Sequence, residues 1–302
     1  MTPNKFLFIG YLIIVSLNCF AWKNSTGDTT PTSTTIEALN YLKNIRKLPE
    51  SKYWPNIKAL DFLENLRANI ISPLQVYEGS NTNFCGYAAL TFIPLHTNPL
   101  GYAKFMMQVF REGKARYGKV YFEPSLGVRQ AAGALKFKGI LDIRPADQLW
   151  FLSLADHFKG YLNFFNKHYD PEDENTFWAS VNYAKFNRMV RLLFNYNVYA
   201  RGSDLIHPWI HDVYGYIKNC LQTGTTVLFL NNAYLYRRKH NMLRPGVPTH
   251  YIILLDLVQT NGIITIIYWD YGFRSLRQIT PAFLKKIVFG ISHCTKKTTN
   301  EP

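Results

Sequence analysis

The spacing of apolar residues changes along the chain, from a helical period in the first two thirds to continuous apolar runs after Thr225. From Ile36 to Arg46 and from Ile57 to Ala68 they recur three and four apart, with Leu60, Phe62, Leu63 and Leu66 among them. This predicts two short helices, separated by Pro49 and Pro55. Further helices are predicted over Leu100–Arg111, Ser125–Leu135, Ala146–Phe158, Phe177–Phe194 and Trp209–Leu221. The first three of these follow a proline, which suits a first helical turn because no N–H is needed there. Stripes such as Phe105, Val109 and Phe110, or Met189, Leu192 and Leu193, read as core faces.

Thr225–Leu230, Tyr251–Leu257 and Ile263–Tyr268 are β-rich, apolar and bounded by turn residues, which predicts an antiparallel sheet of at least three strands. Thr280-Pro281 then opens a last helix to about Val288. No internal repeat is present, and the pattern as a whole predicts an α+β fold.

Composition adds boundaries. The 302 residues, 47% hydrophobic and 16% aromatic, are enough for one sizeable core. Lys5, the apolar stretch Phe6–Leu17 and the small residues Cys19 and Ala21 give residues 1–21 the plan of a cleaved export signal. An uncleaved anchor and lipidation at Cys19 rank second and third. Trp22–Thr35, rich in Thr and Ser, reads as a flexible linker, 36–295 as the catalytic domain and 296–302 as a disordered tail. Export places the protein in the periplasm, at the cell surface or outside the cell. It also leaves Cys85, Cys220 and Cys294, an odd number, so one thiol stays unpaired. Either Cys220 pairs with Cys294 and Cys85 is free, or all three are reduced.

A net charge of +14 favours acidic partners such as an anionic envelope surface. The basic residues are scattered, apart from Arg237-Arg238-Lys239-His240, and no motif supports nucleic-acid binding.

The chemistry concentrates at three residues. Cys85 lies in Asn83-Phe84-Cys85-Gly86-Tyr87-Ala88-Ala89, where Asn83 predicts an N-cap and Pro94 limits the helix to about three turns. The positive end of that helix then faces the sulfur, and a cysteine attacks as thiolate. Gly86 leaves room for a substrate. His250 heads one strand and Asp270 ends the next, so the turn between them decides whether they meet. A two-residue Asn261-Gly262 turn sets His250 opposite Phe273 and turns Asp270 to the other face. A three-residue loop with Gly262 left-handed sets Asp270 opposite Ile252, on the same face as His250 and roughly 7 Å away at the backbone. That register, the expected one, gives a nucleophile, a base and an orienting acid. Oxyanion donors are sought among Asn83, Asn81 and Gln75. His207, His211 and Asp212 have helical spacing, but Pro208 interrupts it and no further metal ligand is nearby, and Asp170–Glu174 lacks the glycine of a calcium loop. No cofactor or metal is called for.

The order of Cys85, His250 and Asp270 resembles the papain-like cysteine peptidases and transferases. Cys85-Gly86-Tyr87-Ala88 is similar to the Cys-Gly-x-Ala helix start of bacterial members, among them leader-cleaving peptidases and papain-fold toxin effectors. Tyr268-Trp269-Asp270-Tyr271-Gly272 is loosely similar to the Asn-Ser-Trp-Gly segment of papain. The resemblance implies a helical lobe carrying the cysteine packed on an antiparallel β lobe carrying His and Asp, here with a helical insertion over about 98–222. Where the family has a glutamine about six residues before the cysteine, this chain has Gly79.

The expected function is therefore an exported thiol-dependent amide hydrolase acting on a peptide or protein. Delivery as a toxin, countered by an inhibitor or immunity protein, is one form of that expectation. Two alternatives stand beside it. One is the same site acting on peptidoglycan or on a glutamine side chain. The other is a non-catalytic envelope-binding protein.

Overall fold

A computed structural model of the protein describes residues 32–135, 143–159, 169–171, 174–176, 179–232, 235 and 248–297. The signal segment, the linker up to residue 31, the basic run 237–240 and the tail from 298 lie outside the described residues. The linker ends earlier than expected. Thr32 N–H donates to the Thr97 carbonyl and Ser33 Oγ to Asn98 Oδ1, and Thr34 caps α1 (Thr35–Lys43) in a reciprocal box with Glu37.

Helices α2 (Ala59–Ile71), α3 (Cys85–Thr97), α4 (Pro99–Glu112), α5 (Leu126–Ala131), α6 (Pro145–Phe158) and α7 (Tyr183–Phe194) follow, with a small hairpin, β1 (Ala115–Tyr117) and β2 (Val120–Phe122), after α4. Strand β3 (Tyr196–Gly202), helix α8 (Val213–Thr223), strands β4 (Thr225–Leu230), β5 (His250–Thr260), β6 (Ile263–Asp270) and β7 (Phe273–Ile279), helix α9 (Pro281–Ile287) and strand β8 (Val288–Lys296) complete the chain. Two helices start later than their apolar pattern predicts, because Asn182 and Asp212 cap them through side-chain oxygens.

The α+β expectation holds, with a larger sheet than foreseen. Six antiparallel strands run in the order β3-β8-β4-β5-β6-β7. Since β3 belongs to this sheet, the stretch 98–222 is not a wholly helical insertion. One face of the sheet, with Val227, Phe229, Tyr251, Ile253, Leu255 and Trp269, packs into the core built by α1–α7. The other face, with Leu228, Ile252, Leu254, Ile266 and Tyr268, packs under α8 and α9. Burial on both sides explains why β4 is apolar almost throughout.

The β5–β6 register corrects the expected turn. Thr260 pairs with Ile263, so Asn261-Gly262 is a two-residue turn with both φ values positive, 49° and 77°. Taken alone, that turn would separate His250 from Asp270. The ladder instead shifts by one residue. Asp256 pairs with Ile267 but Leu254 pairs with Tyr268, leaving Leu255 as a bulge. Beyond the bulge Ile253 pairs with Trp269, which carries Asp270 onto the face of His250. The pairing expected from a three-residue loop is thus reached through Leu255.

Gly262 is therefore a turn residue and not the determinant of the site. A Cβ there meets nothing within 4 Å, so Gly262→Ala carries only the backbone cost of a left-handed residue, about 1 kcal/mol. Urea unfolding should show that loss while the hydrogen-bonded imidazole proton of His250 stays in the NMR spectrum. Deleting Leu255 should remove that resonance; its survival in the deletion variant would show that the bulge does not set the register.

Candidate active site

Cys85 is the first residue of α3, and it is half-buried, with Sγ 3.9 Å from the Thr249 carbonyl oxygen. The expected cap is absent. The residue before the helix is Phe84, which makes no side-chain cap, and Asn83 instead donates its amide to the Thr176 carbonyl at 2.6 Å. An uncapped first turn leaves its N–H groups without internal acceptors. The helix also continues past Pro94 to Thr97. Gly86 has a packing role. A Cβ on it would stand 3.0 Å from Cβ of Val181 and 3.3 Å from the Tyr251 ring, so the glycine allows α3 to close on β5 and does not hold space for a substrate.

His250 is the first residue of β5 and Asp270 the last of β6, and each is 2 % exposed. Nε2 of His250 is hydrogen-bonded to Oδ1 of Asp270, which leaves Nδ1 for another partner. Burial disfavours a charged ring. The Asp270 carboxylate, by charge and hydrogen bond, and the Cys85 sulfur outweigh it and lift His250 well above the usual histidine range.

Three further residues complete the site, and sequence reasoning missed all three. Tyr271 takes a left-handed conformation, φ 48°, in the two-residue Tyr271-Gly272 turn, and stacks on His250 with ring centroids 4.7 Å apart. A bulky residue rarely takes that conformation, and here it places a ring against the imidazole. Asn232 donates Nδ2 to the Tyr271 hydroxyl at 3.1 Å, and its backbone N–H donates to Thr249 Oγ1. Glu78 is fully buried, and neither carboxyl oxygen has a hydrogen-bond partner. Burial pushes its carboxyl up to about 8, against the opposing effect of His250 and with a further push from Asp270. The segment that carries it is held down by Trp269 Nε1, which donates to the Leu74 carbonyl. A turn glycine beside the Asp270-Tyr271 pair hints at a special conformation at Tyr271; no sequence signal marks Glu78.

The donor atoms of Glu78, His250 and Asp270 lie within 4.8 Å of one another, the spacing of a metal cluster. Nε2 and Oδ1 are committed to each other, so of the imidazole only Nδ1 keeps a lone pair that an ion could use.

Several of the other candidates carry structural roles. Gln75 and Asn81 are exposed on the segment that leads to Cys85, with the Gln75 carbonyl beside Gly272, and the Asn83 amide is committed to Thr176. His207 Nδ1 lies 2.8 Å from the Val288 carbonyl oxygen, and Asp212 caps α8. Glu174 of the acidic loop is buried, and its carbonyl accepts from the Asn83 N–H. Cys220 and Cys294 are free thiols, and burial raises both, Cys294 to about 12. No family model matches the chain, and no curated protein and no solved structure matches it. Among the described residues, no helix is long and apolar enough to cross a membrane.

The close approach at Gly86 gives a direct check. Gly86→Ala should destabilise the protein by about 1–3 kcal/mol in chemical denaturation through overpacking against Val181 and Tyr251. A neutral result would mean that α3 has room to move away from β5.

Proposed function

We propose that the protein is a thiol-dependent amide hydrolase with a papain-like arrangement, in which Cys85 is the nucleophile, His250 the proton carrier and Asp270 the residue that orients it. The observation that carries this reading is a single buried imidazole with Asp270 on Nε2 and Cys85 acting on the same ring. A cysteine nucleophile needs a cation beside it, and the raised His250 is that cation.

The steps follow from these positions. The Cys85 thiolate attacks the amide carbonyl carbon, and the carbon–oxygen double bond opens to an oxyanion. The backbone N–H of Cys85, at the start of α3, supplies a donor toward that charge. As the intermediate collapses, the carbon–nitrogen bond breaks and the His250 imidazolium gives its proton to the departing amine. Water then attacks the thioester, His250 takes a proton from it, and the acid product leaves as Cys85 is released. Asp270 fixes the tautomer and stabilises the imidazolium. A half-buried Cys85 beside a buried His250 suits a substrate that reaches the sulfur from solvent while the proton carrier stays dry.

The test compares wild type with Cys85→Ala and Asp270→Asn on casein, purified peptidoglycan and a glutamine-rich peptide, following amine and ammonia release. Wild type should act on one of the three. Cys85→Ala should abolish the activity, and Asp270→Asn should lower kcat/KM by about 10²-fold or more. Activity that survives Cys85→Ala sinks the assignment, and a wild type inert on all three favours the binding-protein reading. The pH dependence has a definite sign. A histidine raised in the folded state adds stability below its ordinary value near 6.5, and that stability is lost as pH rises through the raised value. Asp270→Asn leaves burial unopposed by the carboxylate, so His250 should fall in an NMR titration and the alkaline loss of stability should shrink and end at lower pH.

A further inference from the structure

Glu78 is a buried carboxyl that the mechanism above does not use. It lies seven residues before Cys85 and reaches a place beside the His250–Asp270 pair, with both oxygens buried and unpartnered. Such a group cannot be a bystander in energetic terms. A buried polar atom left without a partner costs on the order of 1–3 kcal/mol, and an isolated buried charge costs more. Beside the carboxyl of Asp270, a second carboxylate at this spacing would crowd like charges on one ring in a dry site.

We propose that Glu78 is a positioning residue of the site, a carboxylic acid that stands against the Asp270 carboxylate and gives up its proton in the range in which His250 titrates, and so sets how much negative charge the imidazole feels. The proposal rests on the Cys85–His250–Asp270 reading. In the neutral form Glu78 stands within 4.8 Å of the Asp270 carboxylate without adding charge to the site, while Asp270 holds Nε2 of His250.

When pH rises and Glu78 gives its proton to solvent, its charge adds to that of Asp270, and His250 holds its own proton more tightly. The upward displacement of the carboxyl is consistent with this order of events. The groups acting on Glu78 are His250 from β5 and Asp270 from β6, and Tyr271 of the following turn feels Glu78 and Cys85 as well. Among these only His250 bears positive charge. The coupling is reciprocal, so whatever Glu78 does to His250 in proton affinity, His250 does to Glu78.

The experiment is an NMR pH titration of the His250 imidazole in the full chain, in wild type, Glu78→Gln and Cys85→Ala. The glutamine amide keeps a donor at this position and cannot ionise. Glu78→Gln should lower the His250 midpoint by about half a pH unit or more, the low end of what a charge at this range does. A midpoint unchanged in E78Q overturns the proposal. A wild-type midpoint near the ordinary histidine value, unaffected by Cys85→Ala, defeats the parent reading instead, so the two failures are distinct.

A second measurement covers the case in which E78Q does not fold. The infrared carbonyl band of a protonated carboxyl should be present in wild type near pH 6, bleach as pH rises past about 8, and persist to higher pH in His250→Ala. No such band, or the same bleaching pH in His250→Ala, overturns the proposal. Stability follows the same sign. A raised carboxyl contributes stability present below about 4.5 and lost as pH climbs to about 8, so E78Q should flatten that decline in urea unfolding.

Discussion

The site depends on one extra residue in a central strand. Leu255 bulges from β5, and without it the Asn261-Gly262 turn would leave His250 and Asp270 on opposite faces of the sheet. The bulge is secured from both sides. Leu255 sits among the residues of the helical core with Tyr251 and Ile253, while Leu254 and Leu257 pack under α8 and α9. Ile252, Leu254 and Leu257 all reach the second core although their spacing is not strictly alternating, which is the packing signature of a register shift. A strand buried on both faces has little freedom to slip, so the geometry of the candidate site is fixed by core packing some distance from it.

Given that register, the electrostatics follow from burial. One imidazole is enclosed by an acid that is hydrogen-bonded to it, a sulfur, a tyrosine ring and a second acid that has no hydrogen bond of its own. In so dry a place the charges are decided jointly. Asp270, by charge and hydrogen bond, raises the proton affinity of the ring, and burial raises that of Glu78. Tyr271 and Gly272 in their left-handed turn close the arrangement at the end of β6, with the chain at Val76 and Tyr77 packed against Gly272.

Much of the fold was legible in the sequence, for identifiable reasons. The strand Thr225–Leu230 was marked by a β-branched and apolar run, and α4, α6 and α9 by prolines at their first positions. Strands β3 and β7 were not, because edge strands with one solvated face carry residues such as Arg201, Arg274 and Arg277 and lose their apolar pattern. Strand β8 was hidden by Gly290, Ser292 and His293, small or polar residues whose place in the sheet is decided by neighbours. At the site, Cys85, His250 and Asp270 could be singled out by residue type and position, and the structure brings His250 and Asp270 into contact beside Cys85. The bulge was invisible because Tyr251–Leu255 is apolar at every position and fits either register. Glu78 was invisible because the burial of a carboxyl is a tertiary result with no local periodicity to announce it.

The central claim is that His250 makes Cys85 reactive. The most direct measurement is the rate of Cys85 alkylation by iodoacetamide near pH 6, in wild type and in His250→Ala, with Cys220 and Cys294 followed in the same sample as buried reference thiols. The account predicts that Cys85 of wild type is modified well ahead of an ordinary thiol and that His250→Ala removes the advantage. A Cys85 that reacts no faster than an ordinary thiol, at a rate His250→Ala leaves unchanged, would contradict it.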